Sequence, residues 1–217
     1  QIQVYKDHAT VQLGRVLDIP MSPHLLLWDR SDAHGASILR AWLNDPANED
    51  AIAATTEIDL SFQNLRVLPD ELSLFTGLLV LHLTHNRLKR VDVSALTELR
   101  ELWLSCNQLR EIEGLSAPTQ LRELDLGGNK LTEVDVSALT NLGKLYLGRN
   151  RLTRLDVSAL TELRVLGLSD NQLTEIGVSA LTKLGKLYLG GNLLTRVDVS
   201  ALTELSLLGL SDNQLTE

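Results

Sequence analysis

A single cysteine, Cys106, stands in the chain, so no intrachain disulfide is possible and the fold needs no oxidising compartment. Aromatic residues are scarce, 4 % of the total, which excludes a core of stacked rings and leaves aliphatic side chains to carry burial. Basic residues are outnumbered, 20 against 28 acidic ones, for a formal net charge of −8. That balance argues against a nucleic acid backbone as main ligand, because phosphate binding is driven by clustered Lys and Arg. An acidic membrane surface is disfavoured for the same reason. No run of about 18 apolar residues exists, the length that a membrane-crossing helix needs, so no membrane insertion is expected. Together these absences favour an intracellular place of work. Gln1 in place of a starting methionine leaves room for a targeting signal upstream.

Leucine is what the chain has, and it recurs with a period. The pattern L-x-x-L-x-L-x-x-N-x-L reads Leu99, Leu102, Leu104, Asn107, Leu109, and returns as Leu121, Leu124, Leu126, Asn129, Leu131. The asparagine position is filled by Gln63, Asn86, Asn107, Asn129, Asn150, Asn171, Asn192 and Asn213, at spacings of 23, 21, 22, 21, 21, 21 and 21. Each L-x-L pair predicts a short strand whose leucines point inward while the flanking residues point outward onto a sheet. The asparagine turns the chain out of the strand, and its amide is suited to pairing with backbone groups of neighbouring coils.

A period of 21 leaves too few residues for a helix on the opposite side of each coil. The segment Val-Asp-Val-Ser-Ala-Leu, at Val91 to Leu96, Val134 to Leu139 and Val197 to Leu202, predicts an extended piece and a tight turn instead. Its aspartates (Asp92, Asp135, Asp156, Asp198) read as turn residues bonding to nearby amides. They lack the close cluster of oxygen ligands that calcium requires. Odd units match odd and even match even after Leu142, which points to an ancestral block of two repeats. It leaves an alternation of Arg90, Glu111, Glu133, Arg154, Glu175, Arg196 and Glu217, predicted to form exposed ion pairs between coils.

Residues before Glu57 do not obey the repeat. Residues 1–25 read as a leader without pattern and 26–56 as a helical cap. Within the cap, Ser31 to Asp45 predicts a helix with Ile38, Leu39, Trp42 and Leu43 on one face and Asp45-Pro46 at its stop. Residues 57–217 form the repeat region, and the chain reaches Glu217 with no polar capping element. A leucine-lined last coil predicts further protein there, or packing of a second copy.

By these residues the stretch from Glu57 to Glu217 resembles the leucine-rich repeat family. The resemblance implies an α/β solenoid: a leucine-rich repeat horseshoe with a parallel concave β-sheet, a mostly irregular convex side and an N-terminal helical cap. The run Ile38-Leu39-Arg40-Ala41-Trp42-Leu43-Asn44-Asp45-Pro46, followed by Thr56 to Ser61 and by Leu68-Pro69, is similar to the start of the repeat domain of bacterial type III effector E3 ubiquitin ligases. In that family the repeats select a host substrate and restrain a C-terminal ligase domain, which implies work in the bacterial cytoplasm, or in host cytoplasm after secretion. The chain departs from it in its 21-residue units and Asp-Val-Ser-Ala turns, and it contains no ligase domain. Three readings follow: a protein-binding module serving as the specificity region of a longer bacterial protein, the substrate-recognition part of such a ligase or of another enzyme whose catalytic domain is absent here, and a self-associating structural repeat protein.

The predicted concave column is Asp59, His82, Trp103, Asp125, Tyr146, Gly167, Tyr188 and Gly209. Outward aromatic residues on a rigid sheet suit a protein or peptide partner, since they offer contact area at low entropy cost. Tyr146 and Tyr188, with glycines beside them, read either as contact anchors or as shields for bare backbone. Glu57, Asp59, Glu101, Glu123 and Asp125 make one half of the face acidic, and Lys144, Arg149 and Lys186 make the other basic. A partner with a basic segment near Trp103 would be complementary. His82, His85 and Cys106 superficially offer a Cys and His pair or a soft metal site. No third ligand converges there, so the reading is a surface patch, with no catalytic residue, metal or cofactor expected. Gly127-Gly128-Asn129 and Gly190-Gly191-Asn192 belong to the repeat and not to a phosphate loop.

Overall fold

The computed structural model describes residues 45–68 and 70–216. The expected leader, 1–25, and the expected helix up to Asn44 lie outside the described residues. At Asp45 the backbone is extended and the carboxylate accepts the Ala47 N–H at 2.9 Å. A 3-10 turn over Pro46–Asn48 and a short helix α1, Glu49–Ala53, follow. Asp45-Pro46, expected as a stop, is a start here: proline needs no N–H partner in a first turn, and aspartate caps it. Ile52 of α1 is buried against the first coil.

Among the described residues, eight three-residue strands form one sheet in chain order, every pair parallel. They are β1 Glu57–Asp59, β2 Val80–His82, β3 Glu101–Trp103, β4 Glu123–Asp125, β5 Lys144–Tyr146, β6 Val165–Gly167, β7 Lys186–Tyr188 and β8 Leu207–Gly209. The middle residue of each pairs with the middle residue of the next, so Leu81, Leu102, Leu124, Leu145, Leu166 and Leu187 stack in a column, all fully buried. This is the α/β solenoid expected: little helix, a concave parallel sheet and a core of stacked leucines. Only at β8 does the column open, with Leu208 39 % exposed.

On the convex side the short period leaves turns. Leu139 N–H bonds the Val136 carbonyl and Leu142 N–H the Leu139 carbonyl, both at 3.0 Å, and the same pair of turns recurs in the following coils. The first coil differs, with a 3-10 helix at Asp70–Leu74. The coil after Asn107 carries Gly114 at φ +71, where a Cβ would lie 2.3 Å from the Ser94 nitrogen. Only glycine permits that approach.

The aspartate column is turn chemistry. Asp92, Asp135, Asp156 and Asp198 each accept the N–H of the serine two residues on, at 2.8 to 3.0 Å. These bonds hold all four carboxyls below the usual carboxylate range, the backbone N–H dominating at Asp92 and Asp156 and the serine hydroxyl at Asp135 and Asp198. A carboxyl depressed in the folded state stabilises it above the unfolded-state value, and the contribution fades as pH falls through the folded value. Replacing all four by asparagine should flatten the loss of melting temperature on acidification below the usual carboxylate range. Scanning calorimetry across that range measures it.

The asparagines lock the coils. Asn150 donates from Nδ2 to the Leu126 carbonyl of the preceding coil at 2.9 Å and to its own coil's Leu147 carbonyl at 3.0 Å, while its Oδ1 accepts the Leu131 N–H at 3.1 Å. Asn86, Asn107, Asn129, Asn171, Asn192 and Asn213 repeat this. Among the described residues no buried side-chain nitrogen or oxygen lacks a partner.

Candidate functional site

Strand alternation sends the first and third residue of every strand onto the concave face. The registers set Asp59, His82, Trp103, Asp125, Tyr146, Gly167, Tyr188 and Gly209 side by side in one column, and Glu57, Val80, Glu101, Glu123, Lys144, Val165, Lys186 and Leu207 in the other. His82 and Trp103 lie with ring planes 16° apart and centroids 5.9 Å apart. The Trp103 indole N–H donates to Glu101 at 3.3 Å, and His82 Nε2 stands 3.8 Å from Glu57. Asp59 and Asp125 each hold the N–H two residues on, Ser61 and Gly127, at 2.9 Å. Both carboxylates thus shape the strand exit while still facing the concave side.

The two charged halves meet at an ion pair. Lys144 Nζ lies 2.6 Å from Glu123 Oε1 across β4 and β5, and that bond raises the lysine above its usual range. Arg149 Nε approaches Asp170 at 3.6 Å on the exposed rim, while Lys186 is exposed on β7. Tyr146 is half-buried, and burial raises its hydroxyl above the ordinary phenol range. Its ring covers Gly167, where a Cβ would meet Tyr146 Cδ1 at 3.1 Å, and Gly167 is itself buried. The shielding geometry is real, and each tyrosine keeps an accessible side on the sheet.

Sequence reasoning missed a rim column. The residue before each asparagine position has a positive φ: Phe62, His85, Cys106, Gly128, Arg149, Asp170, Gly191 and Asp212. Its constant place in the repeat was the available signal. Phe62 is 67 % exposed and stacks on His85 at 4.5 Å. The His85 ring therefore lies on Phe62, and among the described residues no three His, Cys, Asp or Glu side chains converge to hold a metal.

A second surface also escaped the sequence. Past the asparagines, Ile112, Val134, Leu155 and Ile176 line an open groove of about 1130 Å³ flanked by charged side chains. In its wall Arg154 approaches Glu133 at 3.9 Å, and one coil before the groove Arg90 pairs with Glu111 at 2.7 Å and with Glu113. Part of the predicted Arg and Glu alternation is thus used between coils.

The leucine rich repeat family profile matches residues 76–131, 119–173 and 140–194, which together span more than half of the chain. It belongs to the leucine-rich repeat family. Leucine-rich repeat domains generally serve as protein–protein interaction modules and are typically not enzymes. Among solved structures, the functional domain of InlJ from Listeria monocytogenes is similar at a TM-score of 0.72 and 30 % identity, over 78 % of this chain and 37 % of that one. That domain includes a cysteine ladder, for which this chain, with Cys106 alone, lacks the residues. The leucine-rich repeat protein LIC12759 of Leptospira interrogans gives 0.73 and 27 %, over 79 % and 46 %. The ectodomain of the Arabidopsis thaliana receptor kinase GASSHO1/SCHENGEN3, solved in complex with Casparian strip integrity factor 2, gives 0.69 and 31 %, over 76 % and 22 %. The chain therefore spans less than half the length of each of these structures. No curated protein matches the sequence. Among the described residues no helix is long and apolar enough to cross a membrane.

Proposed function

We propose that the repeats recognise a protein or peptide on the concave face, as the specificity region of a longer bacterial protein. The observation that carries this reading is the placement of Trp103, Tyr146 and Tyr188, half-buried and facing outward, on a sheet whose coils are locked by the asparagine bonds. Rings fixed in advance lose little entropy on contact, so their area is available for affinity. Glu57, Asp59, Glu123 and Asp125 on one half, with Arg149 and Lys186 on the other, set the direction in which a partner lies, and His82 adds to the aromatic surface. The longer bacterial proteins of similar fold agree with a place inside a larger chain.

Affinity capture from a cell lysate, run beside a variant carrying Trp103→Ala, Tyr146→Ala and Tyr188→Ala, tests the reading. A client identified by mass spectrometry should be retained by the native face and lost by the variant, whose circular dichroism stays that of the folded solenoid. Equal retention by both would place recognition elsewhere.

A further inference from the structure

We propose that the first three coils hold a subsite for an arginine side chain of the protein partner, built from the rings of Phe62, His85 and Trp103 and the carboxylates of Glu57, Asp59 and Glu101. It rests on the concave-face reading and names the chemistry recognised there. Phe62 is the point of departure. Its φ of 62° lies in the left-handed region, where a bulky residue is a genuine outlier. The whole rim column shares that conformation, with Gly128 and Gly191 at φ 64° and 68° and with His85, Cys106, Arg149, Asp170 and Asp212 at 54° to 58°, so what sets Phe62 apart is a large apolar ring at a position that later coils fill with glycine, polar or charged residues. The phenylalanine ring buries nothing in the core: it is 67 % exposed and rests on the exposed ring of His85 at 4.5 Å. A solvent-facing pair of stacked rings that the core does not require is a mark of use by a ligand.

Charge says which ligand. Strands β1 to β4 carry Glu57, Asp59, Glu101, Glu123 and Asp125 and no lysine or arginine, and the rim residues beside them, Phe62, His85, Cys106 and Gly128, add no cation from Lys or Arg. Lys144 closes this acidic field by pairing with Glu123. Within it, the Trp103 N–H is held by Glu101 and one side of the indole lies along the His82 ring, which itself stands 3.8 Å from Glu57, so the rest of the half-buried indole surface faces a partner. Rings beside carboxylates suit a planar cation that stacks on one and donates two parallel hydrogen bonds to the other. Arginine does both, whereas the lysine ammonium is a strongly hydrated point charge with no planar fork. The partner committed to is thus an extended protein segment carrying arginine, crossing the strands of the first coils.

The test uses NMR titration of the full chain with an acetylated Gly-Ser peptide carrying arginines, beside twins in which every arginine is citrulline or lysine. The arginine peptide should shift the Trp103 indole N–H and the amides of β1 to β3, the lysine twin should bind more weakly, and the neutral citrulline twin should leave these signals in place. Phe62→Gly should weaken the arginine peptide about two- to five-fold, the loss of one exposed cation–π contact. The same variant should melt at the native temperature or above, because glycine relieves the backbone. Equal binding of the citrulline twin, shifts centred outside the first three coils, unchanged affinity of Phe62→Gly, or a lowered melting temperature that makes Phe62 structural would each overturn the subsite. A captured client lost by the Trp103, Tyr146 and Tyr188 variant yet indifferent to Phe62→Gly would overturn the arginine subsite alone and leave the concave face standing.

Discussion

Leu145→Ala should lower the unfolding free energy by about 2–5 kcal/mol, the range for a large aliphatic side chain removed from a rigid core. Leu145 is the middle residue of β5, fully buried, with Leu124 and Leu166 in register on either side. Relaxation would require the two neighbouring coils to close on the vacated volume. They cannot approach freely, because Asn150 and Asn171 fix the separation of successive coils through backbone bonds. The cavity therefore stays open and the cost falls in the upper part of the range. Leu208 occupies the same place in β8 but is 39 % exposed, so Leu208→Ala should cost clearly less. Urea denaturation of the pair followed by circular dichroism measures both. Equal effects would mean that the stacked column is not where burial is concentrated.

The contrast also explains what the sequence made legible. A repeat places each core side chain against copies of itself, so the period alone determines which residues are buried, which face outward and in what order strands pair. Leu81 to Leu187, the parallel sheet, the turns of the Asp-Val-Ser column and the asparagine ladder all follow from position in the pattern. What a position does not determine is which chemical neighbour its side chain takes. Lys144 and Glu123 lie on adjacent strands, and the sequence displayed them as members of opposite charged halves; in the fold they are partners at 2.6 Å. His85 was grouped with Cys106 by proximity, yet its ring lies on Phe62. Phe62 itself was invisible because its exposed stack on His85 arises only when successive rim positions are brought side by side. The turns after Asp45 fall inside the expected cap, 26–56, but beyond its one predicted helix, because an Asp-Pro pair read as a stop serves equally as a start.

The asparagine ladder leads to the second large effect. Asn150→Leu keeps the branched outline of the side chain and supplies the apolar character that the interior favours, so a view of the core as a hydrophobic stack alone predicts little change. The bonds predict the opposite. Removing the amide strands the Leu126 and Leu147 carbonyls and the Leu131 N–H, and each buried backbone group left unpaired costs about 1–3 kcal/mol. Together they should destabilise the protein by at least about 3 kcal/mol. Water offers limited rescue, since Asn150 is 8 % exposed and flanked by intact coils. Asn213 makes the same bonds in the last described coil, where it is half-buried with no described coil beyond it, so Asn213→Leu should be much milder. Hydrogen exchange adds a local readout: the Leu131 amide should lose protection in Asn150→Leu, while amides several coils away keep theirs until the whole array unfolds. A small, uniform loss of protection along the chain would show instead that the asparagines tune the turn without holding the coils together. The binding face depends on which holds, because the spacing of Trp103, Tyr146 and Tyr188 across the sheet is only as rigid as the coils that carry them.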